Sequence, residues 1–266
     1  MVRSLWTAAT GMTAQQTNLD TIANNLANVN SAGYKTEQTQ FKSLLYQNLQ
    51  KKSTTSDGSQ KPVGIQVGLG VRYSAISSQF RQGNVNDTDG VHDFAIDGKG
   101  FFNVQMPDGT IAYTRNGNLN VSLGASGDWQ VATAEGYQIL GTDGNPIQFA
   151  ADYDISALQF NDYGEILYEG EVINQFQLAQ FNNPPGLEKL GGTIFRATEA
   201  SGTARLENSD PALQKSKVLN KHLEASNVDV ATEMVNMIIT QRAYELNSKA
   251  ITASDTMLQQ ANNLRS

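Results

Sequence analysis

SLWTAATGMTAQQTNLDTIANNLANV, residues Ser4 to Val29, is the stretch from which the rest of the chain is read. Within it Leu5, Met12, Leu19 and Leu26 recur seven residues apart, and Ala8, Gln15, Ile22 and Val29 each follow three residues later. Residues at these spacings share one face of an α-helix, so the period predicts a helix of about 26 residues, roughly 39 Å long, with an a/d seam. Gly33 is suited to cap its C-terminus. Gly11 lies inside the pattern and costs about 1 kcal/mol relative to alanine, which packing along so long a helix absorbs.

The other faces of this helix say more than the seam. From Met1 to Tyr34 only Arg3 and Asp20 are charged, whereas a solvated helix of that length carries on the order of eight charges. Amides (Gln15, Gln16, Asn18, Asn24, Asn25, Asn28) and alanines (Ala9, Ala14, Ala23, Ala27) take their place. Small residues allow close approach, and amides pair without the desolvation penalty of a full charge. An ordinary helical core and an assembly interface both fit the period; the missing charge favours the interface.

The other end of the chain repeats the pattern. Val230, Met237, Tyr244, Ile251 and Leu258 fall seven apart, and Met234, Ile238, Ala250 and Met257 widen the stripe. The helix is expected to start near Ser226 or Asn227, with Asp229 in its first turn, and to span about 52 Å to Asn263. Between the two helices the composition changes. All six prolines and all ten phenylalanines lie there. Short β-rich runs (Val71 to Ile76, Phe101 to Gln105, Gln130 to Ala132, Glu165 to Tyr168, Phe176 to Phe181) alternate with Asp97-Gly98, Asp108-Gly109, Asn116-Gly117 and Asp143-Gly144, dipeptides favoured in tight hairpins. Phe41 to Leu49 fits helix or strand. Gln50 to Pro62 contains no apolar residue before its terminal proline and reads as an exposed loop.

The expected fold class is therefore α+β: long terminal helices forming a coiled-coil domain, with a central antiparallel β domain. The expected organisation is an axial helix over 1–34, an extended connection with a polar loop over 35–92, the β domain over 93–200, a return connection over 201–226 and a second axial helix over 227–266.

Composition excludes several functions. The net charge of -7 opposes nucleic-acid binding and docking on anionic lipid. The absence of cysteine removes disulfides, thiolate metal sites and cysteine nucleophiles. No run is long enough for a membrane span, and the first residues lack the apolar core of a signal peptide, so if the protein leaves the cytoplasm it does so by a route that needs neither. His92 and His222 are the two histidines, and no nucleophile-elbow sequence accompanies them. Asp87, Asp89, Gly90 and Asp93 do not fit a calcium loop, because an EF-hand register with Gly90 at its sixth position requires acids at Val85 and Ile96. Gly98-Lys99-Gly100 lacks the ending of a phosphate loop. No catalytic residue, cofactor site or metal site is expected, and the chain is not expected to be an enzyme.

The run Ala23, Asn24, Asn25, Leu26, Ala27, Asn28, Val29, Asn30, Ser31, Ala32, Gly33, Tyr34, Lys35 closely resembles the signature of the flagellar rod and hook axial proteins. Ser4-Leu5-Trp6, Gly11-Met12 and Gln15-Gln16 resemble the same family, as do Ser226-Asn227-Val228-Asp229-Val230, Glu233-Met234-Val235 and Gln241-Arg242-Ala243-Tyr244-Glu245. Asp97-Gly98-Lys99-Gly100-Phe101-Phe102 and Tyr113-Thr114-Arg115-Asn116-Gly117 are similar to its central domain, so the resemblance covers nearly the whole chain. Length and the polar stretch after Tyr46 are more like the distal rod members than the longer hook members, and the proximal rod members are the nearest rivals.

The resemblance implies a structural subunit of the basal body, exported by the flagellar type III apparatus without a cleaved signal peptide. It implies a helical homopolymer spanning the periplasm as a drive shaft that carries torque from motor to hook. The implied partners are copies of itself, proximal rod and hook proteins, peptidoglycan and outer-membrane ring proteins and the export apparatus, without nucleic acid or direct membrane insertion. The expected assembly contacts are Leu5, Met12, Leu19, Ile22, Leu26, Val29, Val230, Met234, Met237, Tyr244, Ile251 and Leu258. A secreted β-rich binding module is the alternative from another class, and it leaves the two terminal seams without a purpose.

Overall fold

Heptad spacing at the chain ends produces two long helices, α1 (Val2–Ala27) and α2 (Val230–Asn263), in the computed structural model, which describes residues 2–50, 64–124, 127–150, 153 and 158–264. The expected polar loop falls almost entirely outside the described residues. α1 stops before Gly33 because Asn28 and Ser31 close a turn on themselves: the Ser31 amide donates to the Asn28 carbonyl at 3.1 Å, and Ser31 Oγ donates to Asn28 Oδ1 at 3.2 Å. α2 begins after Asp229, whose carboxylate accepts from the amides of Ala231 and Thr232 at 3.0 and 3.4 Å. Asp229 is thus the N-cap, a role expected for Ser226 or Asn227. No helix among the described residues is long and apolar enough to cross a membrane.

The chain divides into two compact units. The first comprises Met1–Leu26, Glu37–Ser77 and Asp229–Ser266. Besides the helices it holds two antiparallel ribbons, Glu37–Ser43 with Val71–Ser78 and Tyr46–Gln50 with Ile65–Gly68. The stretch from Phe41 to Leu49 is therefore strand rather than helix, broken at Leu44 and Leu45 between the two ribbons.

The second unit comprises Ala27–Thr36 and Ser78–Val228. Its main sheet is ten-stranded and antiparallel, with Phe101–Gln105 paired to Ile111–Thr114, Gln138–Ile139 and Leu178–Gln180. Phenylalanines explain where its core sits. Phe94, Phe102 and Phe176 meet edge to face at centroid distances of 5.0 and 5.6 Å, with Ile96, Val104, Ile139 and Ile166 buried around them. Phe80, Phe101 and Phe195 form a second cluster. Buried aromatic rings supply large apolar area and favour this edge-on packing.

Two of the four turn dipeptides make tight turns. Gly109 adopts φ 80° and closes the hairpin between Phe101–Gln105 and Ile111–Thr114, and Gly144 closes the turn whose amide donates to the Gly141 carbonyl at 2.9 Å. Gly117 serves a different purpose: a Cβ there would lie 1.6 Å from the Phe94 carbonyl oxygen, so glycine lets two backbones touch.

The expected architecture requires correction. The described residues contain two α-helices and twenty-one strands, and the strands run from Glu37 to Glu224, so β-structure outweighs the helices and is not confined to a central domain between coiled-coil ends. Segments outside the expected β domain find antiparallel partners, as Lys217–Asn220 does with Phe94–Asp97 and His222–Glu224 with Val85–Asp87. The helices also do not close a coiled coil on their apolar seams. Val230, Met234 and Tyr244 are exposed, whereas Glu233, Thr240 and Ser254 are buried. Hydrophobicity identified the period, but small and polar side chains occupy the face on which the helices meet.

Candidate assembly surface

In the first unit α1 and α2 face one another through polar groups. Asn18 Nδ2 donates to Thr240 Oγ1 at 2.9 Å, and the hydroxyls of Ser4 and Ser254 lie 3.3 Å apart. Ala8, Gly11, Ala14, Thr21, Ile22 and Asn25 are the buried positions of α1. Small residues on this face let the helices approach closely, as the composition of α1 indicated.

That arrangement leaves apolar side chains elsewhere. On α2 Val235, Ile238, Ile239 and Leu246 are exposed, Ile239 to 61% and Leu246 to 66%. On α1 Trp6 is exposed to 67%. Of the expected contact residues, Ile22 is buried; Leu5, Met12, Leu19, Leu26, Val29, Met237, Ile251 and Leu258 are half-buried; and Val230, Met234 and Tyr244 are exposed. Val230 and Met234 thus lie one helical turn apart on the same helix as Ile238, which the expected stripe included, and as Val235 and Ile239, which it did not. The signal was present: Val235, Ile239 and Leu246 recur four and seven residues apart, a second stripe beside the first.

The run from Ala23 to Lys35 performs several separate tasks. Ala23, Asn24 and Ala27 are exposed, and Leu26 and Asn28 are half-buried. Asn25 is buried in the first unit, where it donates to the Glu37 carbonyl at 2.8 Å and accepts from the Glu37 amide at 2.9 Å. The side chain thereby stands in for a strand partner. Gly33 has φ 68°, and a Cβ on it would lie 2.7 Å from the Arg115 carbonyl carbon, so both conformation and space require glycine. Tyr34 is buried with the Lys189 ammonium 4.6 Å from its ring centroid.

Lys35 is the least expected member. Its ammonium is buried in the second unit and donates to Glu224 Oε1 at 2.5 Å and to the Arg81 carbonyl at 2.8 Å. Glu224 is also fully buried; it accepts from the Gly83 amide at 2.8 Å and lies 3.4 Å from Arg115 Nε. Arg115 in turn donates to the carbonyls of Gly100 and Gly98 at 2.6 and 2.8 Å. Burial pushes the Lys35 ammonium below its ordinary pKa, Glu224 pulls it back up, and Arg115 adds to the lowering. Burial likewise lowers Arg115, against the pull of Glu224, Glu207 and Asp97. Around this cluster Asn227 Oδ1 accepts from the Thr36 amide and hydroxyl at 2.7 Å, while its Nδ2 donates to the carbonyls of Gln79 and Arg81 at 2.8 and 3.0 Å. The segment following α1 is thus tied to the segment preceding α2. Sequence reading singled out Lys35 and Arg115 as motif residues but neither Glu224 nor the ion cluster that joins the three, because partners so distant in sequence leave no local pattern.

The groups considered for chemistry are occupied with structure. Asp93 accepts from Thr88 Oγ1 at 2.8 Å and Asn118 Nδ2 at 3.0 Å. His222 places Nε2 2.8 Å from Asp87 and Nδ1 2.6 Å from the Asn220 carbonyl. Among the described residues no three His, Cys, Asp or Glu side chains gather as metal ligands would.

Comparison with known proteins covers the same ground. Residues 5–35 match the family described as Flagella basal body rod protein, residues 95–168 the Flagellar hook protein FlgE/F/G D1 domain, and residues 219–264 the Flagellar basal body rod FlgEFG protein C-terminal. The flagellar basal-body rod protein FlgG of Borreliella burgdorferi is 39% identical, covering 100% of this chain and 99% of its own. The protein of the same name from Buchnera aphidicola subsp. Acyrthosiphon pisum is 41% identical over 99% of this chain and 100% of its own. That of Caulobacter vibrioides is 39% identical over the full length of both.

Proposed function

Because this chain belongs to the flagellar basal-body rod protein family and is a structural subunit of the rod, we propose that it is a distal-rod subunit whose copies polymerise into the helical tube that carries torque from motor to hook. The observation that carries this reading is the apolar stripe of α2, with Val235, Ile238, Ile239 and Leu246 exposed on the single chain. A contiguous apolar surface of this kind is costly in water and marks an interaction site. A helix with so few charges as α1 is equally ill suited to stand free in solvent. The contacts are Leu5, Met12, Leu19, Ile22, Leu26, Val29, Val230, Met234, Met237, Tyr244, Ile251 and Leu258, extended by the α2 stripe.

In this reading the chain carries no catalysis, and its work is mechanical. It leaves the cytoplasm through the flagellar type III export apparatus without a cleaved signal peptide. It meets proximal rod and hook proteins at the ends of the tube, and the peptidoglycan and outer-membrane ring proteins around it.

Electron microscopy of concentrated protein tests the proposal. Tubes or rods are expected. Ile239→Asp places a charge on the stripe without entering the fold of the single chain, so it is expected to abolish tubes while leaving the thermal unfolding of the β-structure unchanged. Monodisperse globules from the unaltered protein at every concentration, or normal tubes from the variant, would overturn it.

A further inference from the structure

We propose that the polar residues between α1 and α2 form a register lock, a ladder of four rungs that admits one alignment of the two helices. The rungs are Ser4 with Ser254, Gly11 with Asn247, Asn18 with Thr240, and Asn25 with Glu233. Successive rungs lie seven residues apart on α1 and seven apart, in the opposite direction, on α2, so the two residue numbers of every rung have the same sum. Three rungs join polar atoms: the Ser4 and Ser254 hydroxyls are 3.3 Å apart, Asn18 Nδ2 donates to Thr240 Oγ1 at 2.9 Å, and Asn25 Nδ2 donates to Glu233 Oε2 at 3.4 Å. The fourth works by size, since a Cβ on Gly11 would lie 2.9 Å from Asn247 Nδ2. The bulkier amide occupies the room that glycine leaves.

An apolar heptad seam looks nearly the same after a slip of seven residues, whereas this ladder does not. Such a slip moves Asn247 from the gap at Gly11 to Ser4 or Asn18, removes one end rung, and takes the buried Glu233 carboxylate away from Asn25. A buried polar group without its partner is penalised far more than a satisfied one is rewarded. Single polar residues at helix interfaces are known to specify register for this reason. The lock is a property of the single chain. Its consequence rests on the reading of the chain as a rod subunit: with register held by polar contacts, the apolar side chains of both helices are released for neighbouring copies, in a fixed relation to each other.

The chain has no cysteine, so an engineered pair reports register cleanly. Ser4→Cys with Ser254→Cys is expected to form an intrachain disulfide in dilute monomer, since a seven-residue slip moves the two positions about 10 Å apart along the axis, beyond disulfide reach. Adding Asn18→Leu and Thr240→Leu keeps the helices but removes the central rung, and disulfide yield at fixed time is expected to fall several-fold. Exchanging the rung instead, with Asn18→Thr and Thr240→Asn, restores the bond and is expected to restore the yield. Should the leucine background lose helix content by circular dichroism, the exchanged rung decides alone. No disulfide in the reporter, an undiminished yield in helical leucine variants, or no recovery with the exchanged rung would each overturn the lock. The assay needs no polymer, so its failure is separable from failure of the rod reading.

Discussion

Gly33, Lys35 and Glu224 show how single residues carry the junction between the terminal run and the β-structure. Gly33 was read as the C-terminal cap of the first helix, but α1 ends at Ala27, and Gly33 takes its φ of 68° in the segment beyond it. What reading the sequence could not supply was its tight fit against the Arg115 backbone, which depends on a segment far along the chain. The same holds for the buried charges, where two cations, Lys35 and Arg115, share Glu224. This inequality makes a prediction. Glu224→Gln leaves two cations buried against each other and is expected to cost about 3–5 kcal/mol, the range for breaking a buried pair. Lys35→Met leaves Arg115 beside Glu224 and is expected to cost clearly less. Urea unfolding of both variants measures the order, and equal losses, or a larger loss for Lys35→Met, would contradict the account of shared charge.

Among the elements, the two helices and several strands were readable because their signals are local. The period of seven, the Phe101–Gln105 run and the turn at Asp108-Gly109 each lie within a few residues. Which face of each helix is buried was not readable. Two heptad sets coexist on α2: Met237, Tyr244, Ile251 and Leu258 are apolar, whereas Glu233, Thr240, Asn247 and Ser254 are polar and face α1. Hydrophobicity selects the first set, yet the partner residues Ser4, Gly11, Asn18 and Asn25 complement the second. The start of α2 yields a pH prediction. Hydrogen bonds from the Thr232 side chain, then from the Thr232 and Ala231 amides, hold the Asp229 carboxyl below its ordinary pKa. A carboxylate lowered in the folded state stabilises above the unfolded value of about 3.9, and that contribution disappears as pH falls through the folded value. Below about pH 4 the first turn of α2 is therefore expected to fray, seen as faster exchange of the Ala231 and Thr232 amides after correction for intrinsic rates. Asp229→Asn, which still caps but does not titrate there, is expected to flatten the dependence. Acid-insensitive protection in the unaltered protein would count against this cap.

At the scale of the molecule, the sequence pointed to an assembling subunit more clearly than to its own architecture. A charge-poor α1 and two apolar seams at seven-residue spacing are properties of the sequence itself. The extent of β-structure was underestimated, because edge segments such as Lys217–Asn220 and His222–Glu224 become strands only by pairing with residues far away. The stripe on α2 is uncovered in the single chain, and in the proposed rod sister chains cover it. With no native cysteine to interfere, Ile239→Cys reacts with a maleimide at a rate set by access to that one position. The account predicts rapid labelling in dilute monomer and labelling at least about tenfold slower in assembled tubes, as burial within an interface requires. Equal rates in monomer and tube would contradict it.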